Sequence, residues 1–262
     1  MRLPCGAECL VKGETRNPAL IFLHGVGSGA SSWEFQLEEF STRYLTVAWN
    51  APGYGGSVPS EIFTFPSLLD VLQASLEELE IESAHFVGHS FGGMLLQELV
   101  QKTPERVKSM VLYATSPAFG KTDANWQKDY LQNRLEPLQN GKTLVELAPD
   151  IIRSMTGVDP DPIGMELAMK SVEGVSTEAY IQALKCIMGF DRRDNLPKLN
   201  QPVLVLAAEK DPNAKPMMME RMASKIPEAR FACIPKVGHL AHLENQESFH
   251  QVLNEFFMSI EK

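Results

Sequence analysis

The stretch Val87-Gly88-His89-Ser90-Phe91-Gly92-Gly93 decides how the rest of the chain is read. It carries the pattern G-x-S-x-G at Gly88, Ser90 and Gly92. Ahead of it lies the apolar, strand-length run Ala84–Val87, and behind it the helix-forming run Phe91–Gln101. A serine on so tight a strand-to-helix turn is held in a strained backbone conformation, with its hydroxyl above the sheet. Small neighbours let other chain segments pass close by. The N-terminus of the following helix aims N–H groups at the site and favours developing negative charge. Ser90 therefore reads as a nucleophile; a plain glycine-bounded loop is the alternative.

Outward from this turn, short apolar runs alternate with helix-period segments, the signature of a parallel sheet with crossover helices. Strands are expected at Ala19–Leu23, Leu45–Trp49, Ala84–Val87, Ser109–Ala114, Val203–Ala208 and Arg230–Ile234. Most are continuous apolar runs, as in strands covered on both faces. Helices are expected at Pro66–Leu79, Phe91–Gln101, Pro216–Lys225 and Glu244–Ile260. From Pro117 to Leu199 no strand is legible. Helices are expected there at Asn125–Gln139, Thr143–Met155, Pro162–Val172 and Thr177–Met188, divided by Gly and Pro. The expected layout is a core over residues 1–116 and 200–262 with a helical cap over 117–199.

The balance of 24 Lys+Arg against 33 Asp+Glu gives a formal net charge of −9 over 262 residues. An acidic chain is a poor match for nucleic acid, whose phosphates are bound by Lys and Arg. No apolar stretch reaches membrane-span length. The opening Met1-Arg2-Leu3-Pro4-Cys5-Gly6 lacks the apolar centre of a secretion signal. Cys5, Cys9, Cys186 and Cys233 are too scattered for a disulfide framework. Reduced thiols and a cytoplasmic setting are expected.

A serine hydroxyl needs a base. His239 follows the last expected strand in Val237-Gly238-His239-Leu240, where catalytic groups of an open α/β sheet collect. His242 is its rival, and His85 falls inside a strand run. Asp211 follows the strand Val203–Ala208 and suits the role of a carboxylate that orients the imidazole. Glu209 competes with it. The chain order Ser90, Asp211, His239 is that of one large hydrolase class. Two N–H donors for an oxyanion are expected from Phe91 and from Val26, in the loop His24-Gly25-Val26-Gly27.

The same loop satisfies a dinucleotide pattern at Gly25, Gly27 and Ala30, yet the next strand ends in Trp49-Asn50 without the carboxylate that would hold a ribose. His239 and His242 with Glu244 make no H-E-x-x-H motif. No cofactor and no metal is expected. Candidate pocket residues are His24, Gly25, Trp33 and His89 near the elbow, and Phe119, Trp126 and Met188 in the cap. Met155, Met165 and Met169 read as pocket lining or as core filler.

Taken together, His24-Gly25-Val26-Gly27, Asn50-Ala51-Pro52-Gly53-Tyr54-Gly55-Gly56-Ser57, the elbow, Asp211 and Gly238-His239 followed by Glu244 make the chain resemble the α/β-hydrolase superfamily. Within it, Gly189-Phe190-Asp191-Arg192-Arg193-Asp194 is similar to small esterases and 3-oxoadipate enol-lactonases. The resemblance implies an α/β fold with a mostly parallel central sheet, helices on both faces and a helical cap after the sixth strand. It also implies cofactor-free hydrolysis of a small ester or lactone by a monomer or homodimer. Hydrolysis of a C–C bond, as in the meta-cleavage-product hydrolases, and a small-molecule receptor on the same fold are the alternatives. Leu240 stands where those C–C hydrolases usually carry an aromatic residue.

Overall fold

A computed structural model of the chain describes residues 1–120 and 124–260. Its described strands are β1 (Cys9–Lys12), β2 (Ala19–Leu23), β3 (Leu45–Trp49), β4 (Ala84–His89), β5 (Val107–Tyr113), β6 (Val203–Ala208) and β7 (Arg230–Ile234). They form one sheet in the order β1-β3-β2-β4-β5-β6-β7. β1 pairs antiparallel with β3, and the other pairings are parallel. Every residue of β2, β3, β4 and β6 is buried, which accounts for their mostly apolar composition. β7 closes one edge with four of its residues partly or well exposed.

The strand order reverses at β2, which lies between β3 and β4. In an open α/β sheet the crevice outside the strand ends at such a reversal is the natural place for a ligand. Here it falls beside the elbow, because Leu23 at the end of β2 pairs with Gly88 on β4. Helices α1 (Glu34–Phe40), α2 (Phe65–Glu78) and α3 (Phe91–Lys102) belong to this half. α2 starts at a capping box between Thr64 and Ser67 and buries Leu68, Leu69, Leu72 and Leu76 on one stripe. α3 follows the elbow and is buried from Phe91 to Val100, on all sides.

Between β5 and β6 lie α4 (Ala124–Gln139), α5 (Leu144–Met155), α6 (Pro162–Glu173) and α7 (Thr177–Ile187). Each matches an expected cap helix to within one residue at either end. α5 has a capping box between Thr143 and Glu146 and buries Leu144, Ala148 and Ile152, four residues apart. The last part holds α8 (Pro216–Ala223), α9 (Ala241–Glu244) and α10 (Gln246–Ile260).

Three expectations are corrected. The helical insertion follows the fifth described strand, not the sixth. Ahead of β1 the chain makes only the single antiparallel bridge between Arg2 and Glu8, because it turns back on itself from Leu3 to Ala7 around Pro4 and Gly6. β1 and α1 were not foreseen: both are short, and α1 buries only Gln36, Leu37 and Phe40. The last helix, expected from Glu244, is broken at Asn245, whose extended backbone separates α9 from α10 while its side chain accepts from Ser248 N.

Candidate active site

Ser90 connects β4 to α3 with φ 51° and ψ −111°. A positive φ on a residue with a Cβ costs on the order of 1–3 kcal/mol and persists only where the surroundings enforce it. Here they do. Ser90 N–H donates to Tyr113 O at 2.9 Å, and Ser90 O accepts from Thr115 Oγ1 at 2.6 Å and Gly93 N at 3.0 Å. Two glycines make the turn possible by close packing. A Cβ on Gly88 would sit 2.7 Å from Gly92 O, and one on Gly92 would collide with the backbone of Leu23 and His24. Ser90 itself remains partly exposed.

Asp211 and His239 extend from the ends of β6 and β7 and meet. His239 Nδ1–H donates to Asp211 Oδ2 at 2.8 Å, and the Asp211 side chain is completely buried. The other oxygen, Oδ1, accepts from Asn213 N at 2.7 Å and Ala214 N at 3.0 Å. Burial pushes the Asp211 carboxyl up. The charge and hydrogen bond of His239 and the two backbone donors outweigh burial and hold it below the ordinary aspartate value. An ionised carboxylate at Nδ1 fixes the tautomer and leaves Nε2 with a free lone pair. The rivals are otherwise engaged. Glu209 is exposed and accepts from Lys236 N and Lys210 Nζ. His242 is buried, with Nδ1 3.2 Å from the Tyr113 hydroxyl, and burial drives it down to about 3.

The His239 backbone is held at both ends. Its N–H donates to Met155 O at 2.7 Å, and its carbonyl accepts from His89 Nε2 and the Tyr113 hydroxyl, each at 2.9 Å. Among the described residues no hydrogen bond joins Ser90 Oγ to the imidazole. The loop after β2 does reach the serine, since a Cβ on Gly25 would lie 3.4 Å from Ser90 Cβ. Val26 follows on this loop and is half-buried. Phe91 begins α3, so its N–H has no partner within the helix and is available to an anion.

The remaining candidates divide by location. His24, Trp33 and His89 are buried and present almost no surface to a ligand, which corrects their expected place on a pocket wall. His24 accepts from Ala51 N at 3.1 Å, the Trp33 ring lies tilted with its centroid 4.4 Å from that of His242, and His89 supports the His239 carbonyl. Burial lowers His24 to about 4 and holds His89 well below the usual histidine value, so both are neutral at pH 7. Phe119, Trp126 and Met188 lie in the inserted region, where Phe119 and Trp126 join Tyr130 in an aromatic cluster and Trp126 is exposed. The dinucleotide alternative finds no support in the loop. Asn50, at the ribose-binding position, instead bonds Ala30 N and Glu8 Oε2. Sequence reasoning missed Tyr113, the last residue of an apolar strand, and Tyr180, whose ring would lie 3.2 Å from a Cβ on Gly27. It also gave Glu244 no role, although the carboxylate accepts from the N–H groups on either side of His239.

A strained serine between strand and helix, at the reversal of a parallel sheet and beside a buried Asp–His pair, defines the hydrolase architecture. The comparisons agree: a model of the alpha/beta hydrolase fold matches residues 18–246, and the chain belongs to that family. It is 29% identical over 244 residues to a poly(3-hydroxyalkanoate) depolymerase of Ectopseudomonas oleovorans, covering 91% of this chain and 83% of that one. It is 24% identical over 254 residues to 3-oxoadipate enol-lactonase 2 of Acinetobacter baylyi, covering 92% and 89%. In structure it resembles a thermophilic esterase from Thermogutta terrifontis, with a TM-score of 0.87 at 21% identity over 98% of this chain and 94% of that one.

Proposed function

We propose that this hydrolase of ester bonds cleaves a small carboxylic ester or lactone through an acyl-enzyme on Ser90. Ser90 Oγ attacks the carbonyl carbon while His239 Nε2 takes its proton. The N–H groups of Val26 and Phe91 hold the tetrahedral oxyanion, each worth about 3 kcal/mol in the transition state. The imidazolium, paired with ionised Asp211, returns the proton to the leaving alkoxide. Water then enters, loses a proton to His239, and releases the acid from Ser90. A nucleophile–base bond that is open in the free enzyme commonly tightens only with substrate in place.

The observation that carries this reading is the 2.8 Å bond from His239 to a fully buried Asp211, on the loop beside a serine held at φ 51°. Names of relatives point the same way, being those of an enol-lactonase and of a depolymerase of a polyester. A panel of 4-nitrophenyl esters of graded acyl length, several lactones and a vinylogous diketone, run side by side, tests it. Turnover of esters or lactones with a burst of nitrophenol is expected. Turnover of the diketone alone points to C–C cleavage, and binding without turnover points to a receptor.

A further inference from the structure

The Glu244 carboxylate is buried and lies at the start of neither catalytic strand nor helix, yet it receives more backbone donors than Asp211 does. Oε1 accepts from Gly238 N at 3.0 Å and Leu240 N at 3.1 Å, and Oε2 accepts from Gly238 N at 2.9 Å and Gly157 N at 2.6 Å. Two of these donors flank His239 in the chain. The third belongs to the inserted region, in the turn between α5 and α6. Four more hydrogen bonds join this turn and the end of α5 to the His239 loop and the start of α10. His239 N donates to Met155 O, Val158 N to Lys236 O and Asp161 N to Glu244 O, and Gln246 Nε2 bonds Asp161 Oδ2. The two backbones run so close that a Cβ on Gly157 would collide with Lys236 and Val237, and one on Gly238 with Met155 and Thr156.

We propose that Glu244 is a positioning residue for the general base, and that through it the α5–α6 turn of the inserted region forms part of the mounting of His239. The proposal rests on His239 being the base. One carboxylate fixes the chain on both sides of the imidazole and ties that chain to the insertion, so displacing the turn displaces the ring. The His89 and Tyr113 bonds to the His239 carbonyl brace the same loop from the sheet side. A side chain that only filled space would need none of these donors. Motion that opens the site must then come from elsewhere in the insertion than this turn.

Glu244→Gln is the test, because it keeps the shape and replaces one acceptor oxygen with a donor. Whichever oxygen is replaced, an N–H group then faces a backbone N–H. With the folded protein, kcat for 4-nitrophenyl butyrate should fall on the order of 10- to 100-fold, the scale of a misplaced reacting group. KM should stay within about twofold, as for an interaction absent from substrate binding. The rate of fluorophosphonate labelling should fall by the same factor as kcat, and the acid limb of the kcat/KM profile should move. Wild-type kcat with an unmoved pH profile overturns the proposal. His239→Ala separates the two levels: if that variant keeps esterase activity, it is the assignment of the base that fails. Should Glu244→Gln not fold, amide exchange on the unaltered protein decides. Gly157, Gly238 and Leu240 should share one protection level within about tenfold, as members of one cooperative unit. Free exchange at Gly157 with Gly238 and Leu240 protected overturns it.

Discussion

The elbow at residues 87–93 and the loop at 236–244 each present one side chain of the proposed site, Ser90 and His239, and they hold it by different means. The elbow works by steric exclusion. Gly88 and Gly92 admit neighbouring backbone where any Cβ would collide, and the bonds of the Ser90 backbone with Tyr113 O and Thr115 Oγ1 hold it between them at φ 51°. The loop works by hydrogen bonding over long sequence separations. Met155, 84 positions away in the numbering, and His89, Tyr113 and Glu244 pin the backbone of His239 and its neighbours. Local sterics write themselves into a short motif. A mounting assembled from three distant segments leaves no such mark.

The sharpest way to break the comparison is to remove the groups it positions. Ser90→Ala should abolish burst-phase nitrophenol release and steady-state hydrolysis together; residual turnover at the wild-type rate would move the nucleophile elsewhere. Asp211→Asn keeps the shape of the pair but favours the wrong imidazole tautomer. It should lower kcat by roughly 10⁴-fold with little change in fold, checked by steady-state kinetics beside circular dichroism. Gly92→Ala probes the steric side. Its Cβ meets the backbone of Leu23 and His24, so it should destabilise the protein by on the order of 1–3 kcal/mol and disturb the loop that carries Val26, measured by urea unfolding.

Those outcomes bear on how much was legible beforehand. The parallel sheet could be read because β2, β3, β4 and β6 are buried on both faces and so are written mostly in apolar residues. Ser90, Asp211 and His239 could be picked out as candidates because each follows the end of an expected strand in the right order, and of these the structure joins Asp211 to His239. β1 could not: it covers only Cys9–Lys12 and grades from buried Cys9 through partly buried Leu10 and Val11 to exposed Lys12. His24, Trp33 and His89 were assigned to a pocket by nearness in the chain, and the structure turns them inward, where their polar atoms serve the backbone or pack against rings. Glu244 could be read as part of the stretch after Gly238-His239, but its role could not, because its bond to Gly157 spans 87 positions.

Two smaller effects sharpen the contrast between core and insertion. The Asp211 carboxyl titrates below its ordinary value, so ionised Asp211 favours the folded state above about pH 4, the unfolded aspartate value, and this contribution is lost as pH falls through the folded value. The stability advantage of wild type over Asp211→Asn should therefore be present at pH 7 and shrink on acidification, as followed by urea midpoints across the pH series. Thr143→Ala removes the capping box of α5, whose Thr143 Oγ1 accepts from Glu146 N at 3.2 Å. It should cost about 1 kcal/mol in thermal unfolding, with kcat little changed because the cap lies at the far end of α5 from Met155.

The convergence of Ser90, His239 and Asp211 is tested most directly by treating the native protein with a fluorophosphonate and locating the adduct by peptide mass spectrometry. A single adduct on Ser90, formed at a rate that collapses in His239→Ala and Asp211→Asn, is the expected result. An adduct on another residue, or labelling of Ser90 at an undiminished rate in both variants, would contradict it.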